Sequence, residues 1–226
     1  MKKTYWIIFF AIILAVELTG IQLKNETIQF IFKPLLMIVV GGYFLSQVNR
    51  INNSLKGWII AALLFSWIGD ILLMFQAKND TFFLPGLSAF LLAHVSYIIF
   101  FHGVRVRENI RSNILLLLIV VIYYAILITI LSPHLGDMKL PVRIYGIVIS
   151  FMFMLAMHML FMKNKIAGRW MMTGALLFVI SDSVLAINKF YQPFETAGII
   201  IMLTYALAQL FIIEGAKQYI HSSNSN

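Results

Sequence analysis

The 226-residue chain is 61% hydrophobic and only 12% charged, with a mean hydropathy of +0.91. Soluble domains carry about 25% charged residues, so composition excludes an ordinary soluble protein and specifies one that lives in a bilayer. The formal net charge of +8 is read as loop cations that set topology, not as a nucleic-acid footprint. The absence of cysteine excludes disulfides, thiolate metal sites and a cysteine nucleophile.

Apolar runs near the length that crosses about 30 Å of hydrocarbon recur eight times, at 5–23, 30–48, 57–76, 83–104, 113–132, 141–162, 167–188 and 195–217. The expected fold is therefore all-α: a polytopic membrane helix bundle of eight transmembrane helices, with residues 1–226 as a single integral membrane domain. An open sheet would leave backbone groups unsatisfied in lipid. Lys2 and Lys3 precede the first run as in a signal peptide. No small-x-small cleavage pattern follows it, and Glu17 interrupts its far end, so it is expected to remain as an uncleaved first span.

Of the 17 Lys and Arg residues, 11 fall on the side that carries both termini, Lys2, Lys3 and Lys217 among them, and six on the other. The positive-inside rule then predicts cytoplasmic termini, in what is expected to be a bacterial cell membrane. Trp6, Trp58 and Trp170 fall near inner interfaces, as an aromatic belt does. The closing HSSNSN reads as a short polar tail.

The third and seventh spans run the same way, and each holds one aspartate: Asp70 in FSWIGDILLM and Asp182 in FVISDSVLAINKF. At 1.5 Å per residue each lies about 9 Å from the outer end of its span. Lys33-Pro34 opens the second span and Pro141-Val142-Arg143 the sixth. Lys33 precedes Asp70 by 37 residues and Arg143 precedes Asp182 by 39. This spacing suggests a four-plus-four parallel repeat about an axis along the membrane normal, with the two aspartates facing each other.

Ionisable groups within a span are costly and usually face a cavity or a partner. Each aspartate alone also fits an interhelical ion pair; two at equal depth favour a shared site. His94 and Tyr97, one turn apart in FLLAHVSYIIFF, read equally as proton carrier and as interhelical hydrogen-bonding groups. Tyr205 and Gln209 share one face of the last span, where packing is the ordinary role of such a stripe; Tyr145 and Ser150 in the sixth span carry the same ambiguity. Lys33, Arg143, Asn188 and Lys189 lie at outer span ends, where cations snorkel and where they also suit a lipid phosphate. Glu17 sits at similar depth, either pairing with one of these cations or lining the cavity. The five histidines, His94, His102, His134, His158 and His221, show no zinc-ligand spacing, so no metal is expected.

The pieces FKPLLM, IGDILLM, GLSAFLLAHVSYIIFF, YGIVISFM, GALLFVISDSVLAINKF and YALAQLFI follow one another over nearly the whole chain. In this order the sequence resembles the YhhN family of integral membrane proteins, which includes the lysoplasmalogenases. The resemblance implies an eight-helix hydrolase that cleaves the vinyl ether of lysoplasmalogens, giving a fatty aldehyde and glycerophospho-ethanolamine or -choline. It maps the family's acids onto Asp70 and Asp182. Its other polar motif positions fall on Lys33, His94, Tyr97, Tyr145, Ser150, Asn188, Tyr205 and Gln209. Arg143 matches no motif and rests on its position.

Vinyl ether hydrolysis starts with protonation of the β carbon, giving an oxocarbenium ion to which water adds. That chemistry needs one carboxylic acid and one carboxylate, as in glycosidase pairs, and no cofactor. Hydrocarbon surroundings favour the neutral form of a carboxyl group, so a buried aspartate pair is suited to it. Either aspartate fits either role. The expected partners are a lysophospholipid substrate and membrane lipid. The alternative is a proton-coupled transporter or lipid-binding membrane protein, which paired carboxylates and a mid-span histidine also suit. Transporter spans are often broken by Gly or Pro at the midplane, whereas Pro34, Pro85, Pro141 and Pro193 are read here at span ends or in loops. A zinc-dependent amide hydrolase is a third, chelator-sensitive, reading.

Overall fold

The computed structural model describes residues 3–224; Lys2 and the last two residues of the polar tail lie outside them. Eight helices, each apolar and long enough to span a membrane, follow in order: α1 Lys3–Gln22, α2 Glu26–Val48, α3 Lys56–Met74, α4 Phe83–Arg107, α5 Ile114–Leu131, α6 Lys139–His158, α7 Lys165–Ala186 and α8 Ala197–Asn224. No strand occurs among the described residues.

Short polar residues set the helix starts. Asn25, Asn113 and Asn164 accept from the amides of Ile28, Leu115 and Ala167 at 3.1, 3.0 and 3.1 Å, satisfying amides that have no partner in a first turn. Because Asn25 caps α2, that helix starts four residues before the apolar run, and Pro34 falls inside it. The reading of Pro34 as a span-end residue is thereby corrected. An interior proline has no amide to offer the carbonyl four residues back, here that of Phe30, one turn from Lys33. At the other end of the chain α8 continues through Asn224, so most of the predicted tail is helix.

The helices pack as hairpins α1–α2, α3–α4, α5–α6 and α7–α8, of which the last is the most intimate. A Cβ on Gly174 of α7 would lie 2.7 Å from the backbone nitrogen of Ile212 in α8, so only glycine lets these backbones meet. Between the halves, α2 packs on α8 and α4 on α6, as a twofold exchange requires. However, α1 also packs on α8 without a comparable α5–α4 contact, so the packing does not establish the four-plus-four repeat.

At the end that carries both termini, Glu214 accepts from Lys3 and Gln218 at 2.8 and 2.9 Å, from Tyr43 at 2.6 Å, and from Lys217. This cluster ties α1, α2 and α8. His158 accepts the Asn113 amide at 3.3 Å while its Nδ1 donates to Met154, fixing α5 to α6. The polar groups nearer the opposite end form the site.

Candidate active site

Asp70 on α3 and Asp182 on α7 line one cavity of about 60 Å³, together with Lys33, Tyr145, Ser181 and Tyr205. Its apolar walls include Phe83, Leu87 and Phe90 of α4. Gly69 is what brings α4 so near: a Cβ there would stand 2.6 Å from the Phe90 ring.

Asp70 is 2% exposed. Its Oδ2 accepts from the Tyr205 hydroxyl at 2.7 Å, and Lys33 Nζ stands 3.8 Å from Oδ1. Because α3 and α8 run antiparallel, the next polar pair meets one turn further toward the terminal end. There Gln209 Nε2 donates to Ser66 at 2.9 Å and the Tyr97 hydroxyl donates to Gln209 Oε1 at 2.5 Å. Tyr97 and Gln209 thus form a fully satisfied layer beneath Asp70, and the i, i+4 stripe of Tyr205 and Gln209 faces the matching stripe of Asp70 and Ser66.

Asp182 accepts from the Tyr145 hydroxyl. His94 Nε2 lies 3.8 Å from its Oδ2. The other ring nitrogen, Nδ1, contacts the Phe90 carbonyl at 2.7 Å and must donate to it, which leaves Nε2 of a neutral ring as an acceptor. That Nε2 is buried and unpartnered among the described residues, so it is free to take a proton from Asp182 or from a bridging water. The ring is held edge-to-face by Phe178 and Tyr145, with centroids 4.7 and 5.3 Å away.

Seven predicted site residues do not line the cavity: His94, Tyr97 and Gln209, described above, and Arg143, Asn188, Ser150 and Lys189. Arg143 is exposed and donates to Ser132 at 3.2 Å. Asn188 accepts the Phe194 amide at 3.1 Å, fastening the π-helical turn Ile187–Tyr191 that ends α7. Ser150 is buried and its hydroxyl is unpartnered among the described residues. Lys189 pairs with Asp80 at 3.1 Å and lines a neighbouring cleft that also reaches Asp182 and Tyr145.

The residues not foreseen are Ser66, Tyr123 and Ser181. Tyr123 shares a 2.8 Å hydrogen bond with Ser183, and Ser181 donates to the Ile201 carbonyl at 3.0 Å. The sequence carried a signal for two of them: Ser66 stands four residues before Asp70, and Tyr123 interrupts an aliphatic run. Glu17 is 1% exposed, and its Oε2 has no partner among the described residues. Among those residues no group of three or more His, Asp or Glu side chains is placed to hold a metal ion.

These features define a polytopic helical membrane protein with two spanning-helix aspartates on one internal cavity. Residues 28–216 match the model of the YhhN family, and the chain belongs to that family. It is 37% identical to the Homo sapiens protein named Lysoplasmalogenase TMEM86B, over 79% of this chain and 70% of that protein. Identity to Bos taurus Lysoplasmalogenase TMEM86A is 34%, over 71% of this chain and 65% of that protein. Identity to the Lysoplasmalogenase of Mycobacterium bovis is 30%, over 88% of this chain and 72% of that protein. The chain thus spans 65% to 72% of the length of these three relatives. No solved structure matches the chain.

Proposed function

We infer that this protein is a lysoplasmalogenase, hydrolysing the vinyl ether of a lysoplasmalogen to a fatty aldehyde and glycerophospho-ethanolamine or -choline. The observation that carries the reading is the shared cavity: Asp70 and Asp182, from spans far apart in sequence, line it together. Membership of a family with relatives named lysoplasmalogenase supports the substrate.

The two aspartates differ in a way that divides the work. Lys33 balances the charge of Asp70, so Asp70 is the carboxylate that stabilises the oxocarbenium ion and guides water. Asp182 has a tyrosine hydroxyl and a histidine beside it, and no lysine or arginine within ion-pair distance among the described residues. Asp182 is therefore assigned as the acid that delivers a proton to the β carbon. Water then adds to the former α carbon and gives up a proton to the carboxylate pair. The resulting hemiacetal collapses to aldehyde and alcohol, with the departing glycerol oxygen taking a proton. The positive-inside count supports a cavity in the non-cytoplasmic half of the membrane, with substrate entering from that leaflet and its phosphate near Lys33 or Lys189.

Purified protein given a lysoplasmalogen and its ester analogue should release aldehyde from the vinyl ether alone. Failure to release aldehyde would overturn the reading. It would favour the proton-coupled transporter, to which Pro34 inside α2 lends some support.

A further inference from the structure

Three openings converge on Asp182 and Tyr145. One is the central cavity; the second is the cleft beside Lys189. The third is a crevice between α5, α6 and α7, lined by Tyr123, Tyr124, Leu127, Leu131, Val142 and Gly146. We propose that this crevice is the lateral portal through which the hydrocarbon chain of a single-chain phospholipid lies against Asp182. The proposal deepens the hydrolase reading and rests on it for the reactive bond, though not for the binding of the chain.

Size makes a portal necessary. The central cavity of about 60 Å³ holds a few waters and has no room for a fatty chain. The crevice and the cleft, at about 30 Å³ each, do not enclose one either, so the chain must run out along one of these openings into the lipid. Chemistry separates the two candidates. The cleft carries the Lys189 cation, which is paired with Asp80 near the far end of the bundle, and it suits a phosphate. In the crevice Asp182 is the only charged lining residue, which suits hydrocarbon.

The crevice wall also looks toward lipid. α5 is the most apolar of the eight spans, and only 11% of it is buried. It is held chiefly against α6, where the Tyr124 ring covers Gly146. The only aromatic residues in the run ILLLLIVVIYYAILITIL are Tyr123 and Tyr124, and both line the crevice. The bond from Tyr123 to Ser183 fixes the inner end of the crevice beside the residue next to Asp182. A larger apolar groove of about 310 Å³ lies between α2 and α3, but it shares no lining residue with the cavity. Continuity with the reactive group therefore selects the crevice.

The test uses a saturated 1-O-alkyl lysophospholipid with a diazirine in its chain, which lacks the vinyl ether and cannot be cleaved. Irradiated with the purified full chain, it should label peptides covering 123–131 and 142–149, and excess unlabelled lysolipid should suppress that labelling. Suppressible label on the α2–α3 groove or beside Lys189, or label that competitor does not reduce, would overturn the portal. In addition, Leu127→Trp should raise KM for lysoplasmalogen about tenfold with kcat within about twofold; an unchanged KM would overturn it as well. Label on α5 and α6 without aldehyde release from the native protein would sustain the portal and overturn the hydrolase.

Discussion

The two aspartates line one cavity from different helices, yet their settings are built differently. Around Asp70 every partner is in place. Lys33 is beside one oxygen, Tyr205 is bonded to the other, and the satisfied layer of Ser66, Gln209 and Tyr97 lies below. Around Asp182 the setting is incomplete, with an unpartnered His94 Nε2 and two further openings. Fully satisfied buried networks are rigid, whereas partly satisfied ones have capacity left for a ligand or a proton. In the proposed mechanism the Asp70 side therefore holds a fixed charge and the Asp182 side receives substrate.

The sharpest way to break that comparison is to neutralise each side in turn. Asp182→Asn should lower aldehyde release about 10³-fold or more, the upper range for loss of a positioned acid. Asp70→Asn, which removes charge stabilisation, should cost about 100-fold. The reverse order would exchange the roles, and two active variants would end the dyad. Next in size comes the charge balance. Lys33→Met leaves Asp70 as an uncompensated buried carboxylate and should cost about 30-fold in turnover, with a lower Tm. Adding Asp70→Asn to Lys33→Met should restore the Tm while leaving the protein inactive. If the double variant melts no higher than Lys33→Met alone, the pairing is not what holds this side.

The aspartate pair was legible in the sequence, though the contrast between its members was not, and the reason is dielectric. A charged residue in an apolar run stands out whatever its partner, so Asp70, Asp182 and Glu17 were legible as anomalies. What surrounds each one was not, because depth along a span says little about which way a side chain faces. Arg143 and Asn188 lie at plausible depth, but the fold uses one to bind Ser132 and the other to fasten a turn. The error over Pro34 had a local cause: hydropathy marks where hydrocarbon begins, while Asn25 and Glu26 mark where the helix begins. Tyr123 was overlooked because a tyrosine in an aliphatic span reads as packing until its hydroxyl is found on Ser183.

A smaller effect is expected from His94, and it tests whether the incomplete side works through proton transfer. His94→Phe keeps the ring packing against Phe178 and should lower kcat about tenfold with KM unchanged. His94→Gln offers hydrogen bonds without an exchangeable ring proton. If His94 passes protons to and from Asp182, Gln should be as poor as Phe. Near-native turnover in the Gln variant would reduce His94 to a hydrogen-bonding support.

The smallest effect on turnover is predicted for Glu17, which the matched family segment 28–216 leaves out. Gly20 of α1 lies against Ile28, and its carbonyl accepts from Gln29 of α2 at 3.4 Å. Moving one turn toward the terminal end along each antiparallel helix brings Glu17 opposite Lys33, and both Lys33 and Asp70 are within its electrostatic reach. Even so, Lys33 forms its ion pair with Asp70, and the carboxyl of Glu17 does not line the cavity. Glu17→Met should therefore change aldehyde release by less than about threefold. It also removes a buried polar group that lacks a partner, a change worth about 1–3 kcal/mol, so the Tm should rise by a few degrees. A loss of turnover comparable to that of Lys33→Met would place Glu17 within the charge balance, making three carboxyl groups rather than two share one lysine.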